Sequence, residues 1–340
     1  MQNNNESMNF FNPALFSQYR SVLMGVSIIW IFIFHSKAVG IPVYDEIQKF
    51  GWAGVDIFFF LSALGLSFSL DKNNDTLDFL KRRAKRIIPT WLTVLFCVHL
   101  LGLLCNKYLP SLTFNVPHTI LQCICWYTGI GFFISDFVSE SRCFYYEWYV
   151  PSLLFFYVIT PFLYKLKTQF LVIFLIVAIV IAYLLYFFNL LPSLRLFYLR
   201  FPAFIMGIFV YRIIKSQWKF YPYALSCSLI LGLMLCALLY GFGVKIPKYF
   251  VFQLLMPTIC LCFIFLTKYL RLVHFFSFFG GISLELYLIH IYKRPHYLMG
   301  FVFENKLLIV LSTLVLCTIA AICLREIVKF ISVKVENKLL

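Results

Sequence analysis

Long runs of apolar residues recur along nearly the whole chain and are separated by short polar segments. A helix needs about 20 apolar residues to cross a hydrocarbon core about 30 Å thick. Ten stretches of roughly this length are predicted to span, at residues 21–38, 51–70, 88–106, 148–165, 169–189, 197–214, 221–241, 249–267, 275–293 and 306–325. The runs lack the period-two alternation of a membrane barrel. The pattern therefore predicts an all-α, polytopic transmembrane helix bundle.

The composition agrees with this fold class and excludes a soluble globule. Hydrophobic residues make up 62% of the chain and charged residues 13%, and the mean hydropathy is +0.88. We expect a single integral membrane domain over residues 1–340, with a polar tail at 1–19 and a short tail at 326–340. The first tail has no basic segment or cleavage site, so we expect no removable signal peptide.

The distribution of Lys and Arg predicts the orientation of the bundle. If the amino terminus is cytoplasmic, 18 of the 29 basic residues fall in cytoplasmic segments, which is the bias that insertion favours. We therefore expect both termini in the cytoplasm. The net charge of +15 then reflects topology and anionic lipid, and it requires no nucleic acid partner.

The one long loop, residues 107–147, is predicted to lie on the outer side. Its apolar stretch at 124–138 is interrupted by Gly129, Gly131, Ser135 and Asp136, so we interpret it as re-entrant or interfacial. An eleventh span is the alternative. It would reverse every later loop and weaken the charge bias.

Most of the eleven cysteines lie inside apolar runs, where Cys behaves as a small hydrophobe. No pair of C-x-x-C motifs occurs, so we expect no metal site. Cys105, Cys123, Cys125 and Cys143 lie in or beside the outer loop. Two of them could form a disulfide, and the spacing alone does not decide whether they do.

Ionisable residues inside the predicted spans carry more information, because each is costly in lipid without a partner or a cavity. His35 and His290 are expected near the outer ends of their helices, as is Asp56, so all three are placed to meet there. Ser283, Tyr287 and His290 share one face of the ninth span. Interhelical hydrogen bonds, a structural imidazole and a carboxylate at a helix start are the alternative explanations.

A basic cluster precedes the third span, with five cations in six positions at residues 81–86. Topology and lipid binding alone can explain such a cluster. However, Arg82, Arg83 and Arg86 lie on what is predicted as a short helix ending near Pro89, and arginine binds phosphate through paired donors. We therefore predict an anion site at the mouth of the bundle.

Six segments, in order, resemble motifs of the membrane-bound acyltransferase family 3, whose members transfer acyl groups from acyl-CoA to sugars and related acceptors. They are Leu23–Ser27 with Phe34 and His35, Gly54–Ser62, Arg82–Pro89, Trp148–Pro151 with Tyr157 and Pro161, Arg200–Gly207, and Gly281–His290. Two departures stand out. Met24 replaces a basic residue of the family, for which Arg20 is one helical turn away, and Leu153 and Leu154 replace a frequent glutamate.

The resemblance implies a function and a set of site residues. Cytoplasmic acyl-CoA, with acetyl as the default acyl group, is expected to place its phosphates against Arg82, Arg83 and Arg86, and His35 to act as general base, oriented by Asp56. No metal is required. The acceptor would be an exported or cell-surface glycan, and the enzyme would be located in the bacterial inner membrane. Cavity-lining roles are expected for Arg20, Ser62, Trp148, Ser283, Tyr287 and His290.

Two other function classes fit the same sequence. A transporter of a glycan or lipid intermediate would use the polar stripe as a permeation path, and a membrane scaffold would need neither His35 nor Arg86. The sequence leaves the acceptor, the oligomeric state and the choice between direct transfer and an acyl-enzyme relay open.

Overall fold

The computed structural model describes residues 9–36, 39–108, 115–138, 148–292 and 294–339. The structure is 82% helical, and the described residues contain no strand, which confirms the predicted all-α class. The helices are α1 Leu15–Gln18, α2 Arg20–His35, α3 Pro42–Lys49, α4 Ala53–Lys72, α5 Thr76–Tyr108, α6 Ile120–Thr128, α7 Ile130–Ile134, α8 Tyr149–Lys165, α9 Thr168–Phe187, α10 Arg195–Tyr198, α11 Phe201–Ser216, α12 Tyr221–Gly241, α13 Lys248–Tyr269, α14 Val273–Gly281, α15 Ser283–His290, α16 Arg294–Val302 and α17 Lys306–Leu339.

Helix length decides how many of the ten predicted spans can cross a bilayer unaided. Seven helical segments of the described chain are long and apolar enough. An eighth forms if α14 and α15, which bend by 68° at their junction, count as one span. The other two, α2 and α8, have 16 and 17 residues, or about 25 Å at 1.5 Å per residue. All ten segments are thus helical, but seven or eight meet the length criterion, and the positions of the termini stay a prediction.

The centre of the bundle is α4, because 83% of its most apolar 18-residue segment is buried, whereas only 11% of the corresponding segment is buried in α9 and in α12. Helices approach α4 and one another closely through glycines. A Cβ atom at Gly207 of α11 would lie 2.1 Å from the carbonyl oxygen of Phe60, and one at Gly25 of α2 would lie 1.8 Å from that of Phe276. Small residues at such crossings are typical of membrane bundles. The packing of α2, α4 and α14 fixes the relative positions of the site residues.

The basic cluster lies on a longer helix than the sequence predicts. Pro89 was expected to separate a short basic helix from the third span, but α5 continues through it for 33 residues. That length corresponds to about 50 Å, so the amino-terminal part of α5 extends beyond an apolar core. The arginines therefore belong to the rigid continuation of a spanning helix.

Two short helices, α6 and α7, occupy the described part of the predicted outer loop. Gly129 adopts a left-handed φ of 71° between them, and they contain nine and five residues. Neither helix is long enough to cross the membrane, so the described part of this loop contains no eleventh span. Cys105, Cys123 and Cys125 are free thiols, while Cys143 lies outside the described residues.

Candidate functional site

Residues of α2, α4, α5, α8 and α15 surround a cleft of about 630 Å³, which we call the arginine cleft. Three cations, Arg20, Arg83 and Arg86, line it. Hydroxyl groups and apolar side chains complete the wall, among them Met24, Phe58, Ser62, Tyr149, Tyr157, Ser283 and Tyr287. No carboxylate is among the lining residues that the structure describes. The described lining of the cleft therefore carries a net positive charge.

Local packing holds the guanidinium groups in place. Nε of Arg20 donates to the carbonyl oxygen of Leu61 at 3.0 Å. The same group lies against Gly65, where a Cβ atom would come within 2.9 Å of Nε, so the missing side chain gives Arg20 its room. The guanidinium carbon of Arg83 lies 5.5 Å from the ring centroid of Phe79, and its buried Nε has no hydrogen-bond partner. These arginines keep donors available for an anion.

Arg82, the third predicted anion ligand, does not line the cleft. Its Nη1 pairs with Oδ2 of Asp78 one turn earlier on α5, and the side chain is 40% exposed. The sequence did not indicate which face of α5 points inward, and in the structure Arg82 lies outside the cleft. Arg20, on α2, completes the cationic set in its place.

His35 and His290 meet at the other end of α2. Nδ1 of His35 lies 3.0 Å from Nε2 of His290, and both rings line a separate pocket of about 260 Å³. His290 is 4% exposed, and its Nδ1 lies 2.8 Å from the carbonyl oxygen of Leu286. We call these two imidazoles the histidine pair.

The hydrogen bonds of the histidine pair determine its neutral tautomers. A carbonyl oxygen can only accept, so Nδ1 of His290 carries a proton and Nε2 of the same ring has the lone pair. That lone pair accepts a hydrogen bond from Nδ1 of His35. The lone pair of His35 is then on Nε2, which is the nitrogen suited to accept a proton from a substrate.

Asp56 does not orient His35. Its Oδ1 accepts a hydrogen bond from Nε2 of Gln253 at 3.2 Å, and its Oδ2 lies 3.5 Å from Nη1 of Arg200. Arg200 also donates to the carbonyl oxygen of Trp52 at 3.0 Å. The expected contact with His35 was wrong because the inward direction of Asp56 leads to α13 and to Arg200. The carboxylate therefore belongs to a buried ion pair.

Trp148, also predicted to line the substrate cavity, packs against the arginine of this buried ion pair. Its ring centroid lies 5.1 Å from the guanidinium carbon of Arg200, and the ring of Tyr249 is 5.0 Å away on the same cation. Trp148 is 7% exposed and is not among the residues lining the arginine cleft. Its role in the fold is to cover a buried charge.

We expect the substitution Asp56→Ala to lower the free energy of unfolding by about 3–5 kcal/mol, because it leaves Arg200 buried without its carboxylate. Thermal unfolding of the detergent-solubilised protein measures this. The exposed pair between Nζ of Lys215 and Oδ2 of Asp71, 2.6 Å apart, provides the control, since Asp71→Ala should cost less than about 1 kcal/mol. If Asp56→Ala is as stable as wild type but inactive, the result would instead support the catalytic role that the sequence predicts for Asp56.

The arginine cleft and the pocket of the histidine pair share no lining residue. The ring of Tyr287 stands between them, with its centroid 4.4 Å from that of Tyr149 and 5.5 Å from that of His290. Both tyrosines are buried and line the arginine cleft. In this conformation the two pockets are thus separate, with Tyr287 at the boundary on the side of the arginine cleft, and we call this boundary the tyrosine wall.

Several site residues were missed by the sequence reasoning. Tyr149 and Tyr157 line the arginine cleft, and Arg200 and Gln253 surround Asp56. One signal was present in the sequence: Arg200 is a cation at the start of an apolar run, and an intramembrane carboxylate needs such a partner. No comparable pattern marks a tyrosine that faces a cleft.

Comparison with known proteins identifies the family. The family model for acyltransferase 3, described as an acyltransferase domain, matches residues 22–326. No curated protein and no solved structure matches the chain significantly. The match covers every residue that lines the arginine cleft except Arg20, and it includes both histidines of the histidine pair. With its spanning helices, the chain is therefore an integral membrane acyltransferase that belongs to the membrane-bound acyltransferase family 3.

Proposed function

We propose that the protein is a membrane O-acyltransferase that moves an acetyl group from acetyl-CoA to a hydroxyl of an exported or cell-surface glycan. The observation that carries the proposal is the arginine cleft, in which three guanidinium groups converge without a carboxylate among the described lining residues. A ligand with several phosphates compensates such a charge, and coenzyme A carries three. We further propose that both termini face the cytoplasm of a bacterial inner membrane, which puts the cleft on the side where acyl-CoA is made.

The histidine pair supplies the base for this reaction. Nε2 of His35 removes the proton of the acceptor hydroxyl as the oxygen attacks the thioester carbonyl. The carbon–sulfur bond breaks, the acyl group is joined to the acceptor oxygen, and the coenzyme A thiolate takes the proton from the imidazolium. His290 holds the ring of His35 and its tautomer, which is the role the sequence had suggested for Asp56.

The tyrosine wall adds one requirement to direct transfer. The arm of a thioester held in the arginine cleft reaches His35 only when the ring of Tyr287 turns away from Tyr149. An acyl-enzyme relay is the other route, in which a residue on the cleft side receives the acyl group first. The tyrosine wall argues against a path that is always open between the arginine cleft and His35. A substitution of Tyr287 can therefore distinguish direct transfer from an acyl-enzyme relay.

We expect Tyr287→Ala to increase hydrolysis of acetyl-CoA in the absence of acceptor, because the smaller side chain joins the cleft to the pocket of the histidine pair and admits water. Release of coenzyme A in purified membranes, with and without acceptor, measures the change. Phe133→Ala removes an aromatic ring that packs on Phe197 and lines neither pocket, so it is the control and should hydrolyse at the wild-type rate. Hydrolysis by Tyr287→Ala at that same rate would show that the wall does not separate water from the thioester.

Transfer of label from radiolabelled acetyl-CoA into a glycan fraction tests the proposed function. Membranes that contain the protein should produce acetylated glycan, and membranes without it should not. Movement of glycan across the membrane with no consumption of acetyl-CoA would overturn the proposal in favour of a transporter. A glycan fraction that stays unlabelled while a soluble or peptide acceptor becomes labelled would overturn the acceptor class alone.

A further inference from the structure

Two further cavities lie apart from the arginine cleft, the first beside α3, α12 and α13 and the second beside α9, α10 and the end of α12. The first, of about 870 Å³, is mostly apolar and is lined by Trp30, Phe50, Trp52, Cys236, Leu239 and Phe252, together with the charged residues Glu46 and Lys248. The second, of about 1000 Å³, is lined by Tyr186, Arg195, Leu239 and Lys245 among others. Because Leu239 lines both, the two adjoin. We call them the chain cavity and the basic cavity.

The cations at these cavities have no carboxylate partner within the described part of the chain. Nζ of Lys248 lies 4.7 Å from the ring centroid of Trp52 and forms no ion pair in the described structure. Arg195 contacts Asn189 and the ring of Tyr186, and its buried Nε has no hydrogen-bond partner. The carboxylate of Glu46, beside the chain cavity, already pairs with Lys49 at 2.5 Å. The apolar chain cavity thus adjoins the basic cavity, whose lining includes cations.

The chain cavity and the basic cavity together indicate which class of ligand would bind here. An apolar cavity takes up a hydrocarbon chain, and adjacent cations bind a phosphate at the end of that chain. A free sugar has neither group, and a neutral lipid has only the first. The matching ligand is a phosphate-bearing lipid that lies with its chain against Trp30 and Phe252 and its phosphate near Lys248 and Lys245.

Hydrogen bonds on two sides of α3 link the chain cavity to the pocket of the histidine pair. Nε1 of Trp30 donates to the carbonyl oxygen of Ile47 at 2.9 Å, and both residues line the chain cavity. On the other side of α3, Gln48 donates to the carbonyl oxygen of Ser36 and Tyr44 bonds the hydroxyl of Ser36. Ser36 lines the pocket of the histidine pair. The lipid site and His35 are therefore at the same end of the bundle.

We propose that the chain and basic cavities bind the acceptor as a lipid-linked glycan, with the lipid phosphate held by Lys248, Lys245 and Arg195. This inference rests on the proposed function, because it names the form in which the acceptor reaches His35. A headgroup anchored beside α3 brings its sugar hydroxyls to the end of the bundle where the base lies. A phospholipid in the same site would not bring a sugar hydroxyl to His35.

A binding experiment that needs no acyl-CoA tests the site by itself. The purified protein in detergent is titrated with farnesyl phosphate, with farnesol and with phosphatidylglycerol, and bound lipid is counted by native mass spectrometry. We expect farnesyl phosphate to bind at least about tenfold more tightly than farnesol, since a charge-assisted bond contributes that much. Phosphatidylglycerol at equal concentration should not displace it. Displacement would identify a site for bulk phospholipid and overturn the acceptor assignment.

Matched variants locate the binding. Lys248→Ala should weaken farnesyl phosphate binding about tenfold, and Cys236→Phe should abolish it by filling the chain cavity. Cys227→Phe, on the exposed side of the same helix, and Lys219→Ala, an exposed cation near the start of α12, should bind as wild type. Equal binding by all four variants would overturn the proposal.

A kinetic measurement separates this proposal from the proposed function. Lys248→Ala should raise KM for a lipid-linked acceptor about tenfold and leave KM for acetyl-CoA unchanged. If the protein transfers no acyl group but the binding series holds, the lipid site stands and the proposed function fails. If acyl transfer proceeds with an unchanged KM for the acceptor in this variant, the lipid site fails and the proposed function stands.

Discussion

The substitution His35→Ala should lower kcat for acyl transfer by about 100- to 10,000-fold, the range that a lost general base costs. KM for acetyl-CoA should stay near the wild-type value, because the arginine cleft is unchanged and shares no lining residue with the histidine pair. The measurement is label transfer from acetyl-CoA, normalised to the amount of protein in the membrane. A normal unfolding temperature shows that the bundle is intact.

His274→Ala is the matched control, because His274 is an exposed histidine on α14 that lines neither site. It should retain full activity. His290 acts through His35 and is a positioning residue, so His290→Gln, which keeps an acceptor oxygen for Nδ1 of His35, should retain more activity than His290→Leu. The same variants should shift the pH profile of kcat, which a merely structural role would leave in place. Wild-type kcat in His35→Ala would remove the imidazole from the mechanism.

The helical segments were predictable because apolar length is a strong constraint on a chain in lipid. All ten predicted stretches are helical in the structure. The number of complete crossings was not predictable, because it depends on where helices begin, bend and end. The bend between α14 and α15 lies at Gly281 and Ile282, inside a run that reads as one continuous apolar span. At Pro89 the sequence predicted the end of a short helix, but α5 continues through this residue.

The contacts of the site residues were less predictable than their positions along the helices. Because α2 and α15 both end in histidine, their shared end of the bundle could be inferred, and the structure has the rings 3.0 Å apart. Asp56 is different, because α4 is buried on nearly every side. A helix without a polar face has no sequence pattern that indicates where one carboxylate points. Its partners are Arg200, at the start of α11, and Gln253, on α13.

The tyrosine wall also follows from tertiary packing alone. Tyr149 begins α8 and Tyr287 lies in the middle of α15, and more than 130 positions separate them in the chain. Each is an ordinary aromatic residue in an apolar run. Only the crossing of the two helices brings the rings to 4.4 Å and divides the bundle into an arginine side and a histidine side.

The double substitution Arg83→Ala/Arg86→Ala should lower kcat/KM for acetyl-CoA by more than about 100-fold. A charge-assisted hydrogen bond to phosphate contributes about 1.5–3 kcal/mol, so each arginine accounts for about tenfold or more. The loss should appear mainly in KM, because the phosphates lie far from the reacting carbonyl and bind equally in the ground and transition states. Steady-state kinetics with varied acetyl-CoA measure both parameters. Added salt should weaken wild-type binding more than that of the variant.

Arg82→Ala is the matched control for this prediction, because Arg82 belongs to the same basic cluster but pairs with Asp78 outside the arginine cleft. It removes one positive charge from the same helix and should leave KM for acetyl-CoA within about twofold. If Arg82→Ala is as damaging as Arg86→Ala, the cluster acts through its total charge, as a topology signal or a lipid contact does. The geometry of the cleft would then have no part in binding the donor.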